Sequence, residues 1–147
     1  MEHREQTLPA FHVVGVQIRT NNADAIDTIG PLWGRVMTEG LIQKIPDPSD
    51  EQLIAVYSSY ESDHTGAYDY TIGRRVNSVG EIPEGMAHVE FPESRYAVVT
   101  SRGEMPDALV QTWMKIWQAD LPRAFTADFE VHDFETPDQV EIWLSLK

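Results

Sequence analysis

The residues whose types and spacing point to chemistry are concentrated in TADFEVHDF, residues 126–134 of a 147-residue chain. Glu130 stands there between Phe129 and Val131, in a run that alternates as a half-buried strand does. With period two, Phe129, Val131 and Asp133 point one way and Glu130, His132 and Phe134 the other, so neither face is wholly apolar. A carboxylate in this company is either an edge-strand charge facing water or the floor of a site that takes a cation. A buried lone carboxylate is costly, a desolvated cation restores its missing partner, and each aromatic face adds about 0.5–2 kcal/mol through cation–π attraction.

Composition narrows the alternatives. The formal charge is −13, and the eleven Lys and Arg residues are scattered, which argues against nucleic acid as a direct partner. The same charge raises the local concentration of cationic ligands. There is no cysteine, hence no disulfide, thiol nucleophile or thiolate metal site. The five histidines, His3, His12, His64, His88 and His132, show no ligand spacing, so neither a metal nor any other cofactor is expected. No Gly-rich phosphate loop or nucleophile elbow is present. The N-terminal residues have no signal-like apolar segment and no stretch is apolar enough to span a bilayer, so no membrane partner and a cytoplasmic location are expected.

The elements that must position Glu130 follow from periodicity. FHVVGVQIRT, residues 11–20, reads as a strand, with Gly15 marking a bulge or a close backbone approach. Ile29, Leu32, Trp33, Val36, Met37 and Leu41 form one helical stripe, and Pro31 places the helix start near Thr28 as N-cap and its end at Gly40. Residues 43–51 are a punctuated loop. Residues 53–61 and 67–76 read as an antiparallel hairpin joined by SDHTG, in which Asp63 and His64 are expected to be solvated. Short strands over 86–91 and 95–101 precede a second helix. Pro106 suits its first position, Pro122 stops it, and Leu109, Val110, Trp113, Ile116, Trp117 and Leu121 form its stripe. Residues 139–146 alternate cleanly as a last strand.

The order strand, helix, strand, strand thus occurs twice, over about residues 8–80 and 86–147 of a single domain. Overlaying the halves sets Val56 and Tyr57 on Val131 and His132, and Glu130 on Ala55. The expected fold is α+β: duplicated β-α-β-β units form one antiparallel sheet, with both long helices on one face and a ligand groove between them. Tyr57 shares the Glu130 face in this overlay. Tyr68 and Tyr70 share one face of their strand, and either turns inward. Trp33, Trp113 and Trp117 lie on helix stripes, where each is core or groove wall.

Several stretches in order resemble the gyrase-inhibitor-like, or AraC-type, effector-binding small-molecule domain. They are LPAFHVVGVQIR, LWGRVMTEGL, IAVYSSYESD, AYDYTIGRRV, GEIPEGMAHVEFPESRYAVVTSRG, DFEVHD and VEIWLSL, and they cover nearly the whole chain. The resemblance implies the duplicated architecture and a groove for hydrophobic, often cationic, compounds. It maps the family's Asp-Phe-Glu-x-Tyr pattern onto Asp128, Phe129 and Glu130, with His132 in place of the tyrosine. The implied function is a stand-alone, multidrug-type binding protein for amphipathic cationic small molecules, drug-sequestering or regulating transcription through a separate DNA-binding partner. Its binding residues would be Glu130, Tyr57, Trp33, Trp113, Trp117, Tyr70 and His132, with no catalytic residue. Two alternatives are a hydrolase of strained-ring genotoxic compounds with Glu130 as general base, and a gyrase-binding interaction module.

Overall fold

The computed structural model describes residues 1–147. Eight strands, β1 (Arg4–Leu8), β2 (Phe11–Thr20), β3 (Leu53–Ser58), β4 (Tyr68–Val76), β5 (Met86–Phe91), β6 (Ser94–Arg102), β7 (Ala127–His132) and β8 (Gln139–Ser145), form one sheet. Helix α1 (Ala25–Thr38) follows β2 and helix α2 (Asp107–Gln118) follows β6. The strand order is β1-β6-β8-β7-β3-β4-β2-β5, with every pairing antiparallel. Read outward from the β7–β3 seam, each side repeats the same connectivity, as the duplicated pattern in the sequence requires. Ala55 and Glu130, equated by the repeat, are Cα partners across that seam. β1 has no counterpart among the expected elements. Polar and exposed, it is held by pairing with β6, and β5 is held in the same way on β2.

Phe129 lies at the centre of the sheet's second core, on the face away from the helices. In a flat sheet, Phe91 on β5 and Phe129 on β7 would be four strands apart, roughly 19 Å at about 4.8 Å per strand. Their ring centroids are 5.4 Å apart, and Phe11 on β2 and Tyr96 on β6 also meet Phe129 edge-on. The two wings therefore curl until they close over this face and bury it without a helix. Gly15 sits on β2 where the curl brings the β4 backbone closest. It pairs with Gly73, and a Cβ on Gly15 would overlap the Ile72 carbonyl and lie 2.6 Å from Gly73 Cα. Of the two readings of Gly15, close backbone approach is the one the fold uses.

On the other face, α1 covers Val14, Val16, Tyr70 and Ile72, while α2 covers Ala97, Val99, Ile142 and Leu144. Helix α1 begins three residues before the expected Thr28. Thr28 is not its cap but sits in the first turn, its hydroxyl bonded to the Asp24 carbonyl and the Thr20 hydroxyl. Pro31 is inside the helix and tolerated there. It faces solvent, as does Asp27, whose carbonyl the missing N–H leaves to water. Gly40 ends the segment in the left-handed region, as expected, and a short 3-10 helix (Leu41–Lys44) follows, taking Leu41 out of the α1 stripe and overlapping the first two residues of the expected 43–51 loop, with Leu41 and Ile42 buried. Met37 and Val110 lie off the buried stripes and are half exposed. Helix α2 ends at Gln118, before Pro122, and Pro106 is its N-cap rather than its first residue.

The curl yields a stability prediction. Gly15→Ala and Gly73→Ala are each expected to cost about 2–3 kcal/mol, because two strand backbones would have to separate. Gly34→Ala, on the open face of α1 with nothing near the added Cβ, should instead gain roughly 0.5–1 kcal/mol. Urea unfolding of the three variants measures the contrast.

Candidate functional site

Between α1 and α2 lies a cavity of about 810 Å³, floored by the sheet. Helix α1 supplies Ile29 and Trp33, helix α2 supplies Leu109, Trp113 and Trp117, and the floor carries Tyr57, Tyr70 and Glu130. Period two explains the floor. On β7, Phe129 and Val131 belong to the far core, so Glu130 and His132 project into the groove. On β3, Ile54 and Val56 point away, so Tyr57 projects with them and packs against the cores under both helices.

Glu130 is 1% exposed. Its Oε2 accepts hydrogen bonds from Tyr57 Oη at 2.8 Å and Trp113 Nε1 at 2.6 Å, and its Oε1 meets His132 Nε2 at 2.8 Å. His132 is held in turn against the Trp33 ring, 4.9 Å between centroids, and the Trp33 indole N–H donates to Tyr70 Oη at 2.7 Å. Tyr57 packs against Tyr68, Tyr70 and Trp113. No Lys or Arg pairs with Glu130; its only basic partner is His132, which carries charge only when protonated. The carboxylate is hydrogen-bonded, and no permanently charged side chain neutralises it.

Two residues along the strand, Asp128 is treated differently. It is fully buried, Arg123 Nη2 donates to its Oδ2 at 2.6 Å, and Tyr60 Oη donates to the same oxygen at 2.6 Å. The Ser145 N–H and hydroxyl hold Oδ1 at 2.7 and 3.0 Å. Asp128 has its own cation; Glu130 does not.

All seven residues singled out from the sequence, Glu130, Tyr57, Trp33, Trp113, Trp117, Tyr70 and His132, line this one cavity. Tyr68 and Tyr70, on one face of β4, both turn inward. His64 is not simply solvated: it lines the cavity and lies parallel to Trp117 at 5.8 Å. Arg123, Tyr60 and Asn22 also line it and were not anticipated. The place of Asp128 on the Glu130 face was readable from period two. Arg123, in the irregular stretch after Pro122, carries no such signal. The fold also brings His12 and His88 within 2.8 Å across 76 residues, on β2 and the edge strand β5.

A family model of Cass2, the integron-associated effector binding protein, matches residues 6–146. The chain belongs to the Cass2 family. It is 31% identical to YobU of Bacillus subtilis (strain 168), whose name carries a provisional assignment as a transcriptional regulator, over 90% of both chains. It is 30% identical to the transcriptional regulator BrlR of Pseudomonas aeruginosa over 94% of this chain, which spans only 53% of that longer protein. The fold superposes on the Vibrio cholerae integron cassette protein VCH_CASS2 with a TM-score of 0.80 and 25% identity, covering 99% of this chain and 95% of that one. It matches SAV2435, solved bound to tetraphenylphosphonium, with a TM-score of 0.82 and 23% identity, over 100% and 94% of the two chains. These likenesses agree with the resemblance read from the sequence at the level of an effector-binding fold. No helix is long and apolar enough to cross a membrane.

The tyrosines around this Cass2-family cavity stay protonated to high pH. Burial pushes the phenols of Tyr57 and Tyr70 well above the ordinary range, and the Glu130 charge adds to it. Burial raises Tyr60, with Asp128 adding, and it raises Tyr68, with Glu130 adding. Tyr96, buried in the far core, is raised by the same desolvation. These are all five tyrosines of the chain. Unfolded tyrosines ionise at about pH 10, so above that pH the unfolded state binds fewer protons and stability falls by up to about 1.4 kcal/mol per pH unit for each. Phenolate absorbance is therefore expected to rise together with loss of circular dichroism. A phenolate step near pH 10 in the folded protein would contradict this.

Proposed function

We propose that this protein binds hydrophobic cationic small molecules in the groove between α1 and α2, with Glu130 as counter-charge and Tyr57, Trp33, Trp113, Trp117, Tyr70 and His132 as walls. One observation carries the reading: a fully buried carboxylate without a fixed cation, at the floor of an aromatic cavity of drug-sized volume. The ligand's charge supplies the partner that the fold withholds, and the rings solvate that charge by cation–π attraction. Membership of an effector-binding family supports the reading, as does the lipophilic cation held by SAV2435 on the same fold. The names of YobU and BrlR support a regulatory outcome of binding, passed to a DNA-binding partner in the manner of AraC-type effector domains. An acidic protein with scattered Lys and Arg would not itself grip DNA.

Tryptophan fluorescence reports the test directly, because three of the four tryptophans line the cavity. Tetraphenylphosphonium is expected to bind at micromolar strength, about −8 kcal/mol, and neutral triphenylphosphine oxide far more weakly. Glu130→Gln should weaken the cation by roughly 1.5–3 kcal/mol, about ten- to two-hundredfold, while folding stability stays within about 1 kcal/mol. Glu135→Gln, outside the cavity, should change neither. If Glu130→Gln binds tetraphenylphosphonium as the parent does, the carboxylate is not the counter-charge.

A further inference from the structure

The cavity contains a second polar group that cation binding leaves unused. Arg123 is 6% exposed and lines the groove, yet of its three nitrogens only Nη2 meets an acceptor. Its Nε is buried with no partner. A guanidinium carries five N–H donors in a planar fork, and a buried donor left unpaired costs free energy until an acceptor reaches it. The group is also fixed in place. Asp128 anchors one end, the Phe125 ring lies 4.2 Å from its carbon, and the Trp113 ring lies on the groove side at 6.0 Å. Phe125 holds its position with φ at +54°, a conformation disfavoured for an aromatic residue.

Trp113 links this donor to the acidic floor, because its indole N–H binds Glu130 while its ring faces Arg123. Asp128, which anchors Arg123, lies two residues from Glu130 on the same strand face, so the Cα atoms of the two carboxylates are about 7 Å apart. Since Asp128 already balances the charge of Arg123, what the guanidinium still offers is donors rather than net charge. We infer that the cavity has two poles, and that its ligands are cations bearing a neutral hydrogen-bond acceptor, such as an amide or ester carbonyl, on an arm a few bonds from the positive centre. This deepens the cation-binding reading and rests on it: Glu130 takes the charge, and Arg123 selects among cations.

A matched pair tests the inference. Pentyltriphenylphosphonium is a cation with an inert arm, and (4-carbamoylbutyl)triphenylphosphonium carries a carboxamide on an arm of similar length. The parent protein is expected to bind the carboxamide about five- to tenfold more tightly, the worth of one hydrogen bond to a charged group less the desolvation of the amide. The double variant Arg123→Met/Asp128→Asn removes both charges together. It should lose that preference, read as the ratio of the two affinities within the variant. In the parent itself, the side-chain Nε–H resonance of Arg123 should shift with the carboxamide and not with the pentyl compound, which tests the inference even if the double variant does not fold. Equal affinities in the parent, a preference that survives in the double variant, or an unmoved Arg123 resonance would each overturn the second pole. Failure of the Glu130 counter-charge reading would show separately, as pentyl affinity unchanged in Glu130→Gln.

Discussion

A single buried carboxylate, Glu130, sets the terms for the rest of this structure. Tyr57 and Trp113 donate to one of its oxygens and His132 meets the other, so its polar atoms are satisfied without its charge being cancelled. Hydrogen bonds from neutral groups lower the cost of burying an anion but do not remove it. The surrounding rings define the space that a ligand's charge would enter beside it. They are held by other parts of the fold: Trp33 by Tyr70, Trp113 by Tyr57, and Tyr57 by Tyr68. The partnered tyrosines also stay protonated, so the donors around the carboxylate persist across the physiological range.

Asp128 shows what the same strand does when a charge serves structure. It is anchored by Arg123, Tyr60 and both polar groups of Ser145, and it ties the lead-in to β7 to the end of β8. Removing one partner of such a buried pair leaves an uncompensated charge, with a cost of several kcal/mol. The two carboxylates lie on one face with opposite provisions, one balanced within the chain and one left for a ligand. The duplicated fold makes this asymmetry possible. Ala55 occupies the place of Glu130 in the other half, so the charge enters the shared groove from one side only.

The groove also depends on a core it never touches. By curling until Phe11, Phe91 and Tyr96 surround Phe129, the sheet buries its far face without covering helices. Both helices are then free to stand on the near face and leave the space between them open. The exchange of edge strands, β1 onto β6 and β5 onto β2, joins the two halves at both rims. Backbone approach at Gly15 and Gly73 is the local condition for that curl.

Much of this was legible in the sequence by itself. Period two placed Glu130 and His132 on one face and Phe129 and Val131 on the other, because strand geometry alone decides it. Helical periodicity gave both helices and put Trp33, Trp113 and Trp117 on their buried stripes without deciding between core and groove wall, and the repeat of element order gave the sheet that joins them. What only the tertiary structure decided were matters of distance between remote segments. Arg123 sits in an irregular stretch with no period to reveal its direction, and its burial follows from the pairing of that stretch with the end of β8 at Ser145 and Leu146. The strand identity of residues 4–8 depends on an edge of β6 that no local pattern announces. The start of α1 was misplaced by three residues because the cost of Pro31 depends on whether the freed Asp27 carbonyl faces water, and exposure is a property of the whole fold. Whether Glu130 would be neutralised by a cation of its own chain was likewise undecidable from residue types, since it turns on which side chains packing brings within reach.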